Sequence, residues 1–144
     1  MMRKRKKKIK VKTVFVTMCA DGFHHGHINI LEKAKKYGKV IAGLMTDAAI
    51  LTYKEKKPVV KFKHRKKLLS YINVINKIIP VKSINFVAVA KKYKFDYWVH
   101  GDDWKKGVQA KERIKLIKEM KKWNGKVIDV PYTKGISSSI LKDA

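Results

Sequence analysis

The run Val40-Ile41-Ala42-Gly43-Leu44-Met45 has no polar side chain on either alternation, so as a strand it needs cover on both faces. Four other short, mostly apolar runs recur, at about Val14 to Met18, Val74 to Val81, Tyr97 to His100 and Lys126 to Val130. Helix-length segments separate them. A helix from about Ile28 to Tyr37 has Ile28, Leu31 and Ala34 as its buried stripe, Thr46-Asp47 caps a short second helix, and a third covers about Lys63 to Asn73. Ser83 caps a fourth that reaches Tyr93, and a long fifth runs from about Val108 to Asn124 with Ile114, Ile117 and Met120 facing inward. Strands alternating with helices predict a single-domain α/β fold: a doubly wound, Rossmann-like parallel sheet of about five strands flanked by helices. Residues 13–144 form that domain, and residues 1–12 are expected to be a disordered basic arm.

At 144 residues and 45% hydrophobic content, the chain can build one ordinary core. Its longest apolar stretches fall far short of the roughly 20 residues that span a bilayer, and no signal-peptide core follows the basic N-terminus. No membrane partner and a cytoplasmic location are therefore expected. Cys19 is the only cysteine, which rules out an intrachain disulfide and fits a reducing compartment. A formal net charge of +25 raises nucleic acid as a partner. Two details count against it. Met1 to Lys12 holds eight basic residues and no acidic ones, which leaves +17 of the +25 spread over the rest of the chain. Lysine supplies 32 of the 36 cations, whereas readers of bases and phosphate forks favour the planar guanidinium of arginine. The field suits an anionic small molecule better.

The first apolar run leads into Cys19-Ala20-Asp21-Gly22-Phe23-His24-His25-Gly26-His27, so the histidines sit in a strand-to-helix turn. A helix N-terminus offers unpaired N–H groups and the positive end of a dipole; Gly26 removes a Cβ, and two imidazoles add donors. These features suggest a nucleotide site. Gly22 and Gly26 are spaced G-x-x-x-G and no P-loop occurs, which disfavours nicotinamide enzymes and P-loop ATPases. Two other readings stay open: histidines that merely fill the turn, and a metal site with Cys19 and Asp21 that lacks a fourth ligand. No residue is assigned as a metal ligand. In doubly wound sheets the ligand lies beyond the carboxyl ends of the strands. Lys54-Glu55-Lys56-Lys57-Pro58, Gly101-Asp102-Asp103-Trp104 and Thr133 to Ser139 all fall at that end.

His24-His25-Gly26-His27 resembles the H-x-G-H signature of the nucleotidyltransferase superfamily, whose members join a nucleoside monophosphate to a phosphate-bearing acceptor. Phe62-Lys63-His64-Arg65-Lys66, His100-Gly101-Asp102-Asp103-Trp104 and Gly135-Ile136-Ser137-Ser138-Ser139 narrow the resemblance to cytidylyltransferases over about Val14 to Ile140. The chain is most similar to the phosphonate-pathway and glycerol-3-phosphate members. That resemblance implies transfer of CMP from CTP to a small phosphonate or phosphate, release of pyrophosphate, Mg²⁺ as cofactor with CTP, and a homodimer.

It also implies roles. His24 and His27 donate to phosphate oxygens, and Lys54, with Lys56, holds the acceptor anion against the α-phosphate. Cys19, Ala20, His25 and Gly26 flank the nucleotide along the first turn, while Tyr132, Thr133, Gly135, Ile136, Ser137, Ser138 and Ser139 wrap the triphosphate. Asp102 and Trp104 frame the cytosine, and Asp21 and Arg65 organise the site. Tyr132 stands where many relatives carry arginine, with Lys134 as the available substitute. The favoured acceptor is 2-aminoethylphosphonate, whose ammonium would meet Asp21, Tyr53 or Trp98. Glycerol 3-phosphate, phosphoethanolamine and phosphocholine are alternatives, as are an adenylyltransferase and a nucleic-acid-binding domain that has lost catalysis.

Overall fold

A computed structural model describes residues 10–143, so most of the basic arm, residues 1–9, lies outside the described residues. In chain order the elements are β1 (Thr13–Met18), α1 (His25–Lys35), β2 (Lys39–Met45), α2 (Asp47–Lys54), α3 (Phe62–Ser70) and β3 (Ile75–Val81). They continue with α4 (Phe86–Tyr93), β4 (Tyr97–Gly101), α5 (Ala110–Met120), β5 (Lys126–Val130) and α6 (Ser138–Asp143). The five strands form one sheet in the order β3-β2-β1-β4-β5, and every pairing is parallel. This is the doubly wound α/β architecture expected from the alternating pattern. No helix among the described residues is long and apolar enough to cross a membrane.

Successive residues of the central strands point to opposite faces, and helices cover both. Phe15, Ile41 and Trp98 pack toward α2, α4 and α5, where Ile50, Phe86 and Leu116 meet them. Val14, Val16, Val40 and Val99 pack toward α1 and α3, against Leu31, Ala34 and Leu69. The strand order reverses between β1 and β4. β1 pairs with β2 over six residue pairs, but with β4 over only two, Val14 with Tyr97 and Phe15 with Trp98. Beyond Phe15 the two strands splay, and the gap between their carboxyl ends is the switch-point crevice of such sheets.

Three local expectations are corrected. Ile114, read as inward-facing, is 65% exposed; Met120 is buried as expected, and Leu116 takes the buried place beside it. Arg113, on the same stripe as the fully buried Leu116 and Met120, reaches Asp129 on β5 with its guanidinium at 2.6 Å. Asn85, not Ser83, caps α4, its side-chain oxygen accepting from Ala88 N at 3.3 Å, while Ser83 Oγ accepts from Asn85 N. Helix α1 begins at His25 rather than near Ile28, a shift that sets the geometry of the site.

Gly43 on β2 lies under the Phe15 ring, which stacks on Phe95 with centroids 4.3 Å apart. A Cβ there would fall on Phe15 Cζ and stand 2.9 Å from Val81 Cγ2. Gly43→Ala is expected to cost about 1–3 kcal/mol, the usual penalty for overpacking a filled core. Urea unfolding should show a lower midpoint with an unchanged slope; an unshifted midpoint would mean that the aromatic layer can give way.

Candidate active site

The first turn of α1 caps itself with its own imidazoles. His24 is the N-cap residue in extended conformation (φ −148°, ψ 178°), and its Nδ1 accepts from Gly26 N at 3.0 Å. His27, at the third helical position, accepts at Nδ1 from His24 N at 3.1 Å. The two rings stand 4.1 Å apart, and Phe23 stacks on His27 at 4.9 Å. A neutral imidazole that accepts at Nδ1 carries its hydrogen on Nε2, so the hydrogen-bond pattern assigns both rings the same tautomer. Each ring then has one free N–H donor. Gly26 is required between them, because a Cβ there would lie 2.7 Å from His24 Cε1.

Electrostatics keep these rings uncharged. Burial, reinforced by His24 and Lys54, pushes His27 down to about 4. Burial, with the neighbouring His25, also lowers His24. At neutral pH the pair therefore works as hydrogen-bond donors rather than as imidazolium ions.

Two buried charges fasten the surrounding loops. Arg65, 1% exposed, donates from Nη1 to Cys19 O at 2.6 Å and Met45 O at 2.7 Å, from Nε to Val60 O at 2.8 Å, and from Nη2 to Asp47 at 2.6 Å. One guanidinium thus ties the ends of β1 and β2 to the loop after α2. Asp21 accepts from Val59 N and Val60 N, each at 2.9 Å, and from Lys142 Nζ at 3.1 Å. Burial alone would raise its carboxyl, but those three donors outweigh it and hold it below the usual range.

The last loop and α6 close over the histidine turn. Ser138 Oγ donates to Gly22 O at 2.9 Å, Thr133 Oγ1 accepts from Asn29 Nδ2 at 3.1 Å, and Ser137 Oγ accepts from Ile140 N at 3.1 Å as the cap of α6. Gly135 takes φ +83°, a left-handed conformation suited to glycine.

A cavity of about 270 Å³ results between the splayed strands. Of the residues singled out in the sequence, His24, Gly26, His27, Lys54, Cys19, Ala20 and Asp21 line it, together with Tyr132, Thr133, Ile136 and Ser137 to Ser139 from the last loop and α6. His25 and Lys56 are exposed and Arg65 is buried behind the turn, all three outside the lining, as are Asp102 and Gly135. Asp103, the next residue, lines it in place of Asp102.

Trp104 lies outside the lining: it is 2% exposed, donates from Nε1 to Asp129 at 2.6 Å, and stacks on the cavity-lining His100 at 4.2 Å. His100, at the head of the motif that carries Asp102 and Trp104, lines the cavity. Its Nδ1 lies 2.9 Å from Gly101 O and must be the donor, which leaves Nε2 as an acceptor, and burial lowers its pKa. Its position at the carboxyl end of the strand beside the switch point was the available signal. Thr17 Oγ1 and Gln109 Oε1, which carry no sequence motif, are both buried without a partner among the described residues and belong to residues that line the cavity.

Residues 16–144 match the family model described as cytidylyltransferase-like. The chain is 36% identical over 134 residues to a glycerol-3-phosphate cytidylyltransferase of Bacillus spizizenii, covering 92% of this chain and 95% of that one. It is 28% identical over 138 residues to the enzyme of the same name from Bacillus subtilis, covering 92% and 96%. A solved lipopolysaccharide core biosynthesis protein from Thermoplasma volcanium shares the fold, with a TM-score of 0.70 at 23% identity over 88% of this chain and all of that one. With paired imidazoles at the head of α1 and a family match that runs from β1 to the C-terminus, the chain belongs to the cytidylyltransferase-like family and is a nucleotidyltransferase.

Proposed function

We propose that the protein transfers CMP from CTP to glycerol 3-phosphate and releases pyrophosphate. The observation that carries the reading is the convergence of two neutral Nε2–H donors and the serine-bearing start of α6 on one cavity. Glycerol 3-phosphate is preferred as acceptor because the relatives matched over nearly their whole length bear that name. The ammonium partners suggested for 2-aminoethylphosphonate are all committed elsewhere. Asp21 is saturated by three donors, the Tyr53 ring already faces the Lys54 ammonium at 5.5 Å, and Trp98 is 0% exposed in the core.

The chemistry needs no strong base, because the attacking acceptor oxygen is already anionic. It forms a bond to the α-phosphorus of CTP while the bond to the β-phosphate oxygen breaks, and charge builds on the departing pyrophosphate. The imidazole donors stabilise that charge, and donors already fixed by the α1 turn lose nothing to reorganisation as it develops. Lys54 draws two anions together in the same cavity, and the serine segment holds the outer phosphates. Asp103, Thr17, Gln109 and the acceptor Nε2 of His100 are polar groups available to meet the nucleoside.

Among the described residues no three His, Cys, Asp or Glu side chains are grouped to hold a metal ion. Imidazole N–H, hydroxyl and ammonium are donors for phosphate oxygen, not a carboxylate cage. Mg²⁺ fits this site only as a passenger of the triphosphate, where it would neutralise charge.

Pyrophosphate release should be highest with CTP and glycerol 3-phosphate. Activity with ATP alone, or with 2-aminoethylphosphonate in place of glycerol 3-phosphate, would overturn the base or the acceptor assignment. His27→Ala should lower kcat by about 10²–10³-fold, as expected for losing one transition-state donor, while circular dichroism stays native. A variant with normal turnover would remove His27 from the reaction.

A third expectation concerns protonation. Nitrogen-detected NMR of the ligand-free protein at neutral pH should show both rings neutral with hydrogen on Nε2, and His27 should titrate only near pH 4. Between the ordinary value of 6.5 and about 4, the unfolded chain binds a proton that the folded chain refuses. Stability should therefore fall as pH falls through that window. Titration of His27 near 6.5 would contradict the buried, N–H-accepting geometry.

A further inference from the structure

We propose that the outer face of α3, with the loop before it, docks on an anionic phospholipid surface. From Lys56 to Phe95 the chain runs forty residues with twelve cations and no Asp or Glu, so all 11 carboxylate side chains lie outside this stretch. The first part of the stretch supplies β3, the edge strand, and α3, which packs against that strand, whereas α4 lies on the other face against α5, where Lys91 stands 4.0 Å from Glu119. Lys63, Lys66 and Lys67 of α3 are exposed, and Arg65, the one arginine of the stretch, is turned inward.

Large apolar side chains stand among these lysines. Val59 is 73% exposed, Leu68 46% and Tyr71 80%. Lys63, Lys67 and Tyr71 follow one another at four-residue spacing, as do His64 and Leu68, so they share the outward face of the helix. A helix face that mixes lysine with aliphatic and aromatic groups suits the bilayer interface. Ammonium groups are held by the negative surface potential while Val, Leu and Tyr side chains enter the headgroup boundary. Nucleic acid would instead call for exposed guanidinium forks and rows of stacking rings, and this face offers no exposed arginine and only the Tyr71 and His64 rings.

Helix α5 provides an internal comparison. Lys111, Lys115 and Lys118 are as exposed in class, but they share the helix with Glu112 and Glu119, and Lys115 pairs with Glu112 at 3.5 Å. Peripheral docking needs no spanning helix, so it is compatible with the absence of one among the described residues.

The test is co-sedimentation of the full chain with vesicles of phosphatidylcholine, alone or mixed with an equal amount of phosphatidylglycerol, at low and high salt. Binding to the mixed vesicles only, reversed by salt, is expected. The triple variant Lys63→Glu, Lys66→Glu, Lys67→Glu should weaken it by about tenfold or more. Lys111→Glu, Lys115→Glu, Lys118→Glu changes the net charge equally and should bind nearly as the parent does. Leu68→Ser with Tyr71→Ser, which leaves every charge in place, should also weaken binding. Retained pyrophosphate release certifies the fold of each variant. Equal losses in the two triple variants, no preference for phosphatidylglycerol, or tighter binding to an RNA duplex at equal phosphate concentration would each overturn the proposal.

Discussion

A helix must satisfy the N–H groups of its first turn, and α1 does so with imidazole nitrogens where serine or aspartate would ordinarily serve. That choice governs the site. Accepting at Nδ1 aims each ring, settles which nitrogen carries the hydrogen, and presents Nε2–H to the cavity. A hydroxyl or carboxylate cap would satisfy the same backbone donors but would leave nothing to give to a phosphate. Capping and ligand binding are thus two ends of the same side chain, and the site is assembled when the helix starts.

This arrangement works only if the turn stays where the strands leave it. β1 and β4 diverge after two residue pairs, so the turn after β1 has no neighbouring strand on one side. Arg65 and Asp21 supply the missing restraint by pairing with main-chain groups from the ends of β1 and β2 and from the loop after α2. Removing one partner from such a buried charge network is expensive, about 3–5 kcal/mol in comparable cases, since the remaining polar groups are left without water. The same loop follows Lys54, so the network that secures the fold also holds a cation in the cavity lined by the histidines.

Much of this was legible in the amino-acid order. Apolar runs of strand length alternating with helices specify a doubly wound sheet, and the glycine-flanked histidines fall at a strand-to-helix turn at its ligand-binding end. The misreadings share a physical origin in single-residue register. His24-His25-Gly26-His27 has weak helix propensity, so α1 seemed to begin at Ile28; propensity says nothing about an imidazole that caps its own turn. Ile114 is apolar yet exposed, because α5 turns Leu116 and Met120 to the core and Arg113 to Asp129. Within the tight turn Asp102–Lys105, one residue is about a third of a revolution, enough to exchange Asp102 for Asp103 at the cavity wall and to send Trp104 beneath it. Side chains whose partners are distant in sequence, such as Asp129 under Trp104, leave no local trace.

The charge of the molecule sharpens the meaning of the neutral histidines. In a chain of net charge +25, imidazolium at the head of α1 would add to repulsion already exerted by Lys54, His25 and the helix dipole. Keeping both rings neutral lets the site donate hydrogen bonds without raising that local field in the empty state. A bound triphosphate reverses the sign of the surroundings and favours every donor at once, so the attraction between site and ligand grows as negative charge enters. The cationic field gathers the anion from a distance, and the uncharged imidazoles set its orientation at contact.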